Sequence, residues 1–288
     1  MILIRSQGQL GNQMFLFSAA KKVAADREWL IAFGFLELAA ILPKRPKRVI
    51  WVPVPHRFDR PLKKLFKRLR VFANKLCHCA LVDSGASARV ERSHGCRWPL
   101  VFEFGLCQDE NLAPAEVLTE LVLELRENSA LKARISKKIG DSKILDESLG
   151  FCHVRLGDYR DFMAHGASPV LPASYYTRSL GELRSTAPDV PIVVLSDDVA
   201  AAQEMLSEEP RLFFPNLDTQ ESFWVMMNSD VGILSASTFS WWGARFASAD
   251  HRGPYLAPEY WMGFRRDLWF PSENIRASFL QYRSVTLE

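Results

Sequence analysis

The chain has 288 residues, 48% of them hydrophobic and 24% charged, with a formal net charge of +3. This composition excludes a disordered or low-complexity protein, and the absence of any run of about 18 uncharged apolar residues argues against a membrane-spanning helix. Five cysteines, an odd number, and a start without an export-signal pattern indicate a reduced, cytoplasmic protein rather than a disulfide scaffold.

Strand and helix patterns alternate through the first half of the chain. The strand candidates are short apolar runs, and the helix candidates carry apolar residues at helical spacing. Residues 43–61 are rich in proline and basic side chains, so we expect this segment to be irregular. In chain order the predicted elements are a strand over 1–5, a helix over 12–25, strands over 29–33, 80–83 and 99–106, and a helix over 114–138.

The segment 44–76 carries a strong positive charge. Between Lys44 and Lys75 there are twelve Lys or Arg residues and one acidic residue, Asp59. Apolar residues within 62–76 recur at helical spacing and cations fill the other positions, which predicts a basic amphipathic helix. Such a helix either lies on an anionic membrane surface or packs its apolar stripe against its own domain. Nucleic-acid binding is not indicated, because no binding module accompanies the charge.

The second half predicts a regular series of strands and helices. Apolar strands separated by helices imply a parallel sheet covered on both faces. A polar stretch over 140–147 suggests a boundary between two Rossmann-like domains, 1–143 and 144–288, which face a cleft. The predicted strands are 149–154, 191–195, 212–214, 230–234 and 253–257, and the predicted helices are 172–183, 199–206, 220–228 and 239–248.

The run Phe151–Tyr159 is the most informative stretch of the sequence. It predicts a buried strand that ends by placing His153, Arg155 and Asp158 at the carboxyl edge of the sheet, where ligands bind in open α/β folds. An arginine at that position is suited to holding a phosphate-bearing group. The alternative is an Arg–Asp pair that only fastens the loop.

A glycine-containing turn, Ser6–Phe15, follows the first predicted strand. It fits neither the dinucleotide fingerprint nor the kinase-type phosphate loop. Gly8 and Gly11 permit a close approach of the backbone, and Asn12 and Gln13 would expose amides at the start of the helix, suited to sugar hydroxyls or a departing oxygen. Asn12 could instead serve only as the N-cap.

Two further strand ends carry polar residues at the same predicted edge. After the strand 191–195, one of Asp197 and Asp198 could hold a ribose or sugar hydroxyl while the other caps the next helix. After the strand 230–234, hydroxyl groups and the first N–H groups of a helix could form an anion site. A simple helix cap is the alternative reading there. The hydroxyl groups belong to Ser235, Ser237, Thr238 and Ser240.

Four motifs in this order resemble the glycosyltransferase family 11 α-1,2-fucosyltransferases over almost the whole chain. They are Gly8–Phe15, His153–Tyr159, Ser196–Asp198 and Ser237–Ala244. The resemblance implies a GT-B-type fold and inverting transfer of L-fucose from GDP-fucose to a glycan hydroxyl, most simply α-1,2 onto galactose of a bacterial surface oligosaccharide. It also implies that 1–143 is the acceptor-side domain, that 144–288 binds GDP-fucose, and that Arg155 contacts the GDP diphosphate.

The residue patterns and the resemblance together give a predicted site. Two positions depart from the family pattern: Leu156 replaces a second basic residue, and Ser222 replaces an acidic residue for which Glu221 is a displaced substitute. The catalytic set is Asn12, Arg155 and Asp158, and the donor-binding set is Gly8, Gly11, Gln13, His153, Asp197, Glu221, Ser237, Thr238, Phe239 and Ser240.

The expected mechanism uses no metal ion. Metal-using glycosyltransferases commonly carry a DxD motif, and the sequence contains none. Arg155, aided by the helix start at Thr238–Ser240, would therefore meet the charge of the leaving diphosphate. The base for the acceptor hydroxyl is open between Asp158, Glu103 and a water-assisted route.

Other readings stay open. The chain could be a non-catalytic GDP-sugar or glycan-binding relative, which the departures at Leu156 and Ser222 would support, or a basic membrane adaptor. For the enzyme, a lipid-linked acceptor would explain the basic helix and place the protein peripherally on the inner face of the cytoplasmic membrane. A zinc site from Cys77, Cys79, His94 and Cys96 is a further hypothesis, although the spacing is not that of a CxxC knuckle.

Overall fold

The computed structural model describes residues 1–24, 27–42, 46–55, 58–77, 100–102, 107–112, 116–141, 143–146, 148–250 and 253–286. Within these ranges the chain forms two compact units, Met1–Leu125 and Arg126–Glu288. Each unit is built on a parallel sheet with helices, so the predicted α/β class is confirmed. None of the described helices combines the length and the apolar character needed to cross a membrane.

The first unit, as far as it is described, has a parallel sheet with strand order β3-β2-β1-β4. The helix that follows the first strand is buried around most of its circumference, and its residues Met14 to Phe17 are all buried. Because β1 has β2 on one side and β4 on the other, the strand order reverses at β1. The strands are β1 (Ile2–Arg5), β2 (Leu30–Phe33), β3 (Val49–Val52) and β4 (Leu100–Phe102), and the helices are α1 (Leu10–Val23), α2 (Leu36–Ile41) and α3 (Asp59–Cys77).

The irregular segment predicted over 43–61 is wrong in part, because it contains β3. The run Val49–Val52 is β-branched and aromatic, and it pairs in parallel with β2. Prolines at 53 and 55 follow it directly, which ends the strand. Helix α2 was not predicted, since six residues are too few to show a helical period. The predicted strand 80–83 lies outside the described residues.

The basic amphipathic helix predicted over 62–76 is confirmed as α3. Phe66 is 1% exposed and meets the ring of Phe33 edge-on, with centroids 5.4 Å apart. Leu65 is 50% exposed and lies among exposed lysines and arginines. Helix α3 therefore packs against its own domain at Phe66, while part of its apolar stripe stays exposed to solvent.

The single long helix predicted over 114–138 is wrong. Two helices, α4 (Glu116–Arg126) and α5 (Ser129–Ile139), replace it. The side chain of Asn128 accepts a hydrogen bond from the Leu131 N–H at 3.0 Å and caps α5. An N-cap residue has extended backbone, which interrupts the helix at that point.

The second unit has a six-stranded parallel sheet in the described residues, with order β10-β9-β8-β5-β6-β7. The predicted βα series is confirmed, and the terminal strand β10 was missed because its three residues follow a long irregular stretch. The strands are β5 (Gly150–Val154), β6 (Ile192–Ser196), β7 (Leu212–Phe213), β8 (Val231–Ile233), β9 (Tyr255–Pro258) and β10 (Gln281–Arg283). The helices are α6 (Ala173–Thr186), α7 (Val199–Met205), α8 (Thr219–Met227) and α9 (Thr238–Ser248).

The chain passes from the first unit to the second between Leu125 and Arg126, earlier than the boundary predicted at residue 143. Helix α5, which the sequence analysis placed in the first domain, belongs to the second unit. It contacts α8 of that unit, where Lys138 Nζ lies 2.5 Å from Glu221 Oε2. The division into an acceptor-side and a donor-binding domain stays a prediction.

Candidate functional site

The carboxyl ends of three neighbouring strands form the candidate site in the second unit. β5 pairs with β6 on one side and with β8 on the other. Because the chain moves from β5 toward β6 and β7 and then returns to the opposite side of β5, the strand order reverses at β5. The residues that follow β5, β6 and β8 therefore share one edge of the sheet, as the sequence predicts.

Arg155 lies at this edge with its guanidinium between two carboxylates. Its Nε and Nη2 donate to Asp158 Oδ1 at 3.0 and 2.7 Å, and its Nη1 lies 3.0 Å from Asp197 Oδ2. The guanidinium also lies over the ring of Tyr159, 5.6 Å from the centroid. These contacts fix the plane of the guanidinium, so its orientation is set before any ligand binds.

Asp197 holds Arg155 and the turn beside it. Its Oδ1 accepts a hydrogen bond from the Leu156 N–H at 2.9 Å, while Oδ2 faces Arg155. A Cβ atom on Gly157 would lie 2.4 Å from Asp197 Oδ2, so any other residue there would displace the Asp197 carboxylate. Both oxygens of the Asp197 carboxylate therefore already have partners within the protein. Its contact with a sugar hydroxyl stays a prediction.

Asp198 has the capping role that the sequence analysis gave to one of the two aspartates. Its side chain accepts from the Ala201 N–H at 3.1 Å at the start of α7 and pairs with Arg160 at 2.9 Å. The Ala201 N–H and Arg160 lower the pKa of this carboxyl. Asp198 is therefore part of the scaffold of α7.

His153 is a neutral side chain inside the sheet edge. It is 4% exposed, its Nδ1 lies 2.7 Å from Ser235 Oγ, and its ring meets Phe239 edge-on with centroids 5.8 Å apart. Burial lowers its pKa to about 3, with the nearby Arg155 charge acting in the same direction. His153 thus offers an uncharged imidazole at neutral pH.

The first turn of α9 forms the wall beyond β8. Ser237 is the N-cap, and its hydroxyl accepts from the Phe239 N–H at 3.3 Å. Ser240 is buried and donates to the Ser237 carbonyl at 3.0 Å, so its hydroxyl stabilises the turn. Thr238 and Phe239 are half-buried at the helix start, where the helix dipole favours an anion.

Tyr159 is a site residue that the prediction missed. Its hydroxyl donates to the Ala236 carbonyl at 2.8 Å and so ties the Arg155 loop to the loop after β8. Burial raises the pKa of this hydroxyl, which therefore stays protonated. Its place at the end of the Phe151–Tyr159 run was the available signal, but nothing in the sequence showed which loop it would contact.

The departure at Leu156 has a structural reason. Leu156 is buried and belongs to the apolar core of the second unit, together with Leu171 and Tyr176. A second arginine at this position would place a charge in that core, which is unfavourable without a partner. Arg155 is therefore the cation that this turn directs to the edge of the sheet.

Glu221 lies at the start of α8, and contacts with helix α5 and with the α8 cap hold its carboxylate. It is 1% exposed and forms a capping box with Asp218. Lys138 lies 2.5 Å and Arg134 3.4 Å from its oxygens. Although burial opposes ionisation, these hydrogen bonds and cations lower its pKa overall. These contacts give Glu221 a structural function. Its contact with the donor stays a prediction.

In the first unit, α1 begins at Leu10, so the N-cap interpretation of Asn12 is wrong. The N-cap position is Gln9, and Glu37 Oε2 accepts from the Leu10 N–H at 2.7 Å. Gly11 therefore lies within the first turn and is buried. Asn12 Oδ1 accepts from Gln108 Nε2 at 2.8 Å.

Gln13 holds the glycine turn instead of projecting from it. The side chain is 4% exposed, its Nε2 donates to the Gly8 carbonyl at 3.3 Å, and its Oε1 accepts from the Leu38 N–H at 3.1 Å. Gly8 has a φ of +68°, a conformation that favours glycine. The turn is thus fixed by amide contacts, and its backbone is the part available to a ligand.

Two earlier hypotheses fall on residues outside the described ranges. The first is Glu103 as the base, and the second is the zinc site, of which Cys79, His94 and Cys96 lie outside these ranges. In the described part of the chain, no group of three or more His, Cys, Asp or Glu side chains could hold a metal ion.

Sequence comparison relates the chain to known glycosyltransferases. The profile of "Glycosyl transferase family 11" matches residues 92–264, more than half of the chain. The O-antigen biosynthesis glycosyltransferase WbnK of Escherichia coli is 31% identical over 100 residues, 32% of each chain. An alpha-1,2-colitosyltransferase of Escherichia coli is 31% identical over 118 residues, 38% of this chain and 39% of the relative. The chain thus matches well under half the length of these relatives.

Solved structures with the same fold include glycosyltransferases of GT-B type. The Escherichia coli ADP-heptose LPS heptosyltransferase II superposes with a TM-score of 0.51 at 12% identity, covering 98% of this chain and 89% of that one. A NodZ alpha-1,6-fucosyltransferase soaked with GDP-fucose has a TM-score of 0.45 at 12% identity, covering 84% and 91%. The superposition on the heptosyltransferase confirms the predicted GT-B-type fold.

Proposed function

The chain belongs to glycosyl transferase family 11, and we propose that it transfers L-fucose from GDP-fucose to a glycan hydroxyl, with inversion and without a metal ion. The observation that supports this most is Arg155, which two carboxylates hold at the switch point of the second sheet. An α-1,2 linkage to galactose of an O-antigen oligosaccharide is part of the proposal. The similarity to WbnK supports the O-antigen acceptor, the similarity to the alpha-1,2-colitosyltransferase supports the linkage, and galactose comes from the resemblance to the family.

The proposed reaction breaks the bond between fucose C1 and the diphosphate oxygen, and the electron pair leaves with GDP. Arg155 offers a planar fork of donors to the charge that develops. Asp158 is 60% exposed, whereas Asp197 is 24% exposed. A phosphate can therefore take the guanidinium edge that Asp158 occupies, while Asp197 keeps the other edge in place.

The remaining donor contacts are proposed from the residues around Arg155. The neutral His153 imidazole and the start of α9 would bind the nucleoside and the second phosphate. Asn12 and the Gly8 backbone would contact fucose, as the resemblance implies. The base that accepts the proton of the attacking hydroxyl stays open between Asp158, Glu103 and a water-assisted route.

Colitose is a second candidate for the transferred sugar. The observation that favours it is the similarity to the alpha-1,2-colitosyltransferase, which covers 38% of this chain. The chemistry at Arg155 is the same for either sugar, because the leaving group is a nucleotide diphosphate in both cases. The choice between them depends on contacts to the sugar ring.

The proposal is tested by a transfer assay. The purified protein is incubated with GDP-fucose and a galactoside acceptor in EDTA, GDP release is measured, and NMR gives the linkage of the product. We expect acceptor-dependent GDP release and an α-1,2-linked fucose. Tight GDP binding without release would support the non-catalytic alternative, and dependence on added manganese would contradict the metal-free mechanism. Release only with an activated colitose donor would assign the second sugar.

We also propose that α3 contacts an anionic membrane surface, which would suit a lipid-linked acceptor. Among the side chains of this helix that the structure describes, five cations are exposed, and Phe58 and Leu65 are apolar and about half exposed beside them. This combination of positive charge and apolar side chains fits a surface of anionic lipids. The exposed cations are Arg60, Lys63, Lys64, Lys67 and Arg68.

Liposome flotation tests this contact. A variant with Lys64, Lys67 and Arg68 changed to Glu should lose binding to vesicles of anionic phospholipid. A control variant changes Lys137, Lys143 and Arg266 of the second unit to Glu, which alters the net charge equally and should still float. Equal flotation of both variants would remove the membrane contact.

A further inference from the structure

A cleft of about 590 Å³ opens at the carboxyl edge of the first sheet. Its walls come from the loops that follow β1, β2 and β3, and from α2 and α3. This is the edge at which parallel α/β sheets bind ligands, and the volume is in the range of small-molecule sites. The residues on which the inference rests are Arg5, Gly34, Leu36, Glu37, Val54 and Lys63.

The cleft wall carries two cations. Arg5 is 6% exposed, and its Nη1 donates to the Ser6 carbonyl at 3.2 Å, which fixes the guanidinium at the end of β1. Lys63 reaches the cleft from α3 and is exposed. The carboxylate among the described lining residues, Glu37, already accepts a hydrogen bond from the Leu10 N–H at 2.7 Å. Two cations against one carboxylate give the described lining a net positive charge, which favours an anionic group in the cleft.

The lining of the cleft suits a saccharide. Gly34 has a φ of +77°, and a Cβ there would lie 2.7 Å from Ser6 Oγ, so backbone rather than side chain forms this part of the wall. Gly8 adds a second glycine at positive φ. Leu36 and Val54 provide small apolar surfaces beside these polar groups. Apolar surface with a few fixed polar groups is typical of small-ligand sites.

We propose that this cleft binds an anionic sugar residue of the acceptor glycan, with its carboxylate or phosphate held by Arg5 and Lys63. The inference rests on the proposed function and deepens it, because it names the substrate class on the acceptor side. Exposed Arg60, Lys64 and Lys67 extend the positive charge along α3. They would attract a polyanionic glycan toward the cleft.

The test compares matched acceptors. One galactoside carries a neighbouring glucuronic acid, a second carries its carboxyl-reduced form, and a third carries glucose 6-phosphate in place of the acid. We expect the wild-type KM to be at least about tenfold lower for the charged acceptors than for the reduced one, as charge-assisted hydrogen bonds imply. The more strongly preferred charged acceptor identifies the source of the anion.

The variants connect this preference to the cleft. Lys63→Gln should reduce it to less than about threefold, and Arg5→Gln should abolish it, with the KM for GDP-fucose unchanged in both. Lys47→Gln, an exposed lysine of the same unit outside the cleft lining, is the control and should keep the preference. Because Arg5 is buried and its variant could fail to fold, the exposed Lys63 decides the test. An equal preference in wild type and Lys63→Gln, or an effect on donor KM instead, overturns the inference.

A binding measurement separates failure of this inference from failure of the proposed function. Calorimetric titration with the three acceptors, without donor, reads binding to the cleft directly. Charge-dependent binding that Lys63→Gln weakens, in a protein that transfers no sugar, would support the inference and reject the transferase. Transfer without any preference for charge would reject the inference and leave the transferase in place.

Discussion

The two sheet edges of this molecule share an architecture and differ in how their polar residues are used. In the second unit, charged residues from two strand ends bond to one another, as Arg155 does with Asp197. In the first unit, Gln13 bonds to backbone groups and fixes the glycine turn. The first arrangement presents an oriented cation, and the second presents backbone beside an open cleft.

This difference indicates which ligand each edge can bind. An oriented guanidinium and a helix N-terminus suit a diphosphate, whose charge is concentrated. A wide cleft with glycine backbone, small apolar surfaces and cations at its wall suits a sugar with an anionic group. Parallel α/β sheets place ligands at the same edge in both cases, so the side chains determine the ligand.

The largest expected effect comes from the fork of Arg155. Arg155→Lys keeps the positive charge and loses the planar pair of donors, so we expect kcat to fall at least ~100-fold. Steady-state transfer kinetics measure the change. Arg160→Lys, at an exposed arginine paired with Asp198, is the matched control and should stay within about threefold of wild type. Near-normal turnover of Arg155→Lys would contradict the claim that the edge of the second sheet acts through an oriented guanidinium.

Asp197→Asn should cost about 2 kcal/mol of transition-state stabilisation, roughly 30-fold in kcat/KM. The amide can still accept from the Leu156 N–H, but the charge that orients Arg155 is gone. Combined with Arg155→Lys, the two losses should be less than additive, because both remove one interaction. Asp198→Asn is the neighbouring control. Asparagine also caps helices, so this variant loses only the charge that pairs with Arg160 and should change stability by less than about 1 kcal/mol, with kcat unchanged. Additive losses in the double variant would show that Asp197 does not act through Arg155.

In the first unit, Gln13→Ala should lower the free energy of unfolding by about 2 kcal/mol. The substitution leaves the Gly8 carbonyl and the Leu38 N–H without the bonds that Gln13 makes. Urea denaturation measures the loss, and Gln203→Ala on the exposed side of α7 is the control. An unchanged donor Kd would assign Gln13 to the scaffold, whereas a tenfold weaker Kd with normal stability would restore its predicted contact with the donor.

The smallest expected effect is a pH dependence of stability from His153. Its pKa is about 3 in the folded protein and about 6.5 when unfolded, so the unfolded state binds more protons between these values. Stability therefore falls as the pH drops below 6.5, by about 1 kcal/mol between pH 7 and 5.5. Denaturation midpoints at several pH values should show a shallower slope for His153→Asn. The exposed histidine variant His165→Asn should keep the wild-type slope, and an equal slope in all three proteins would contradict the assignment.

Much of the second unit could be predicted from the sequence. The apolar strands and the polar residues at their ends are local patterns, and parallel topology brings those ends together. The cluster around Arg155 follows from this reasoning, and so does a helix cap at one of Asp197 and Asp198, which the structure assigns to Asp198. The Tyr159 contact with Ala236 could not be predicted, because it joins loops 77 positions apart.

The first unit was less predictable for physical reasons. Strand β3 has only four residues, β-branched and aromatic, and the prolines and cations around it predict an irregular segment. The break between α4 and α5 depends on one capping side chain, Asn128, in a continuous helical pattern. Gln13 was expected to face a ligand, and its burial depends on α2, a helix too short to be predicted.

The central claim is that Arg155 binds the diphosphate of the donor without a metal ion. Calorimetric titration of the protein with GDP and with GMP in EDTA tests it most directly, because the two nucleotides differ by one phosphate. The account predicts that wild type binds GDP at least about tenfold more tightly than GMP and that Arg155→Gln binds both equally. An undiminished preference for GDP in Arg155→Gln, or no GDP binding until manganese is added, would contradict it.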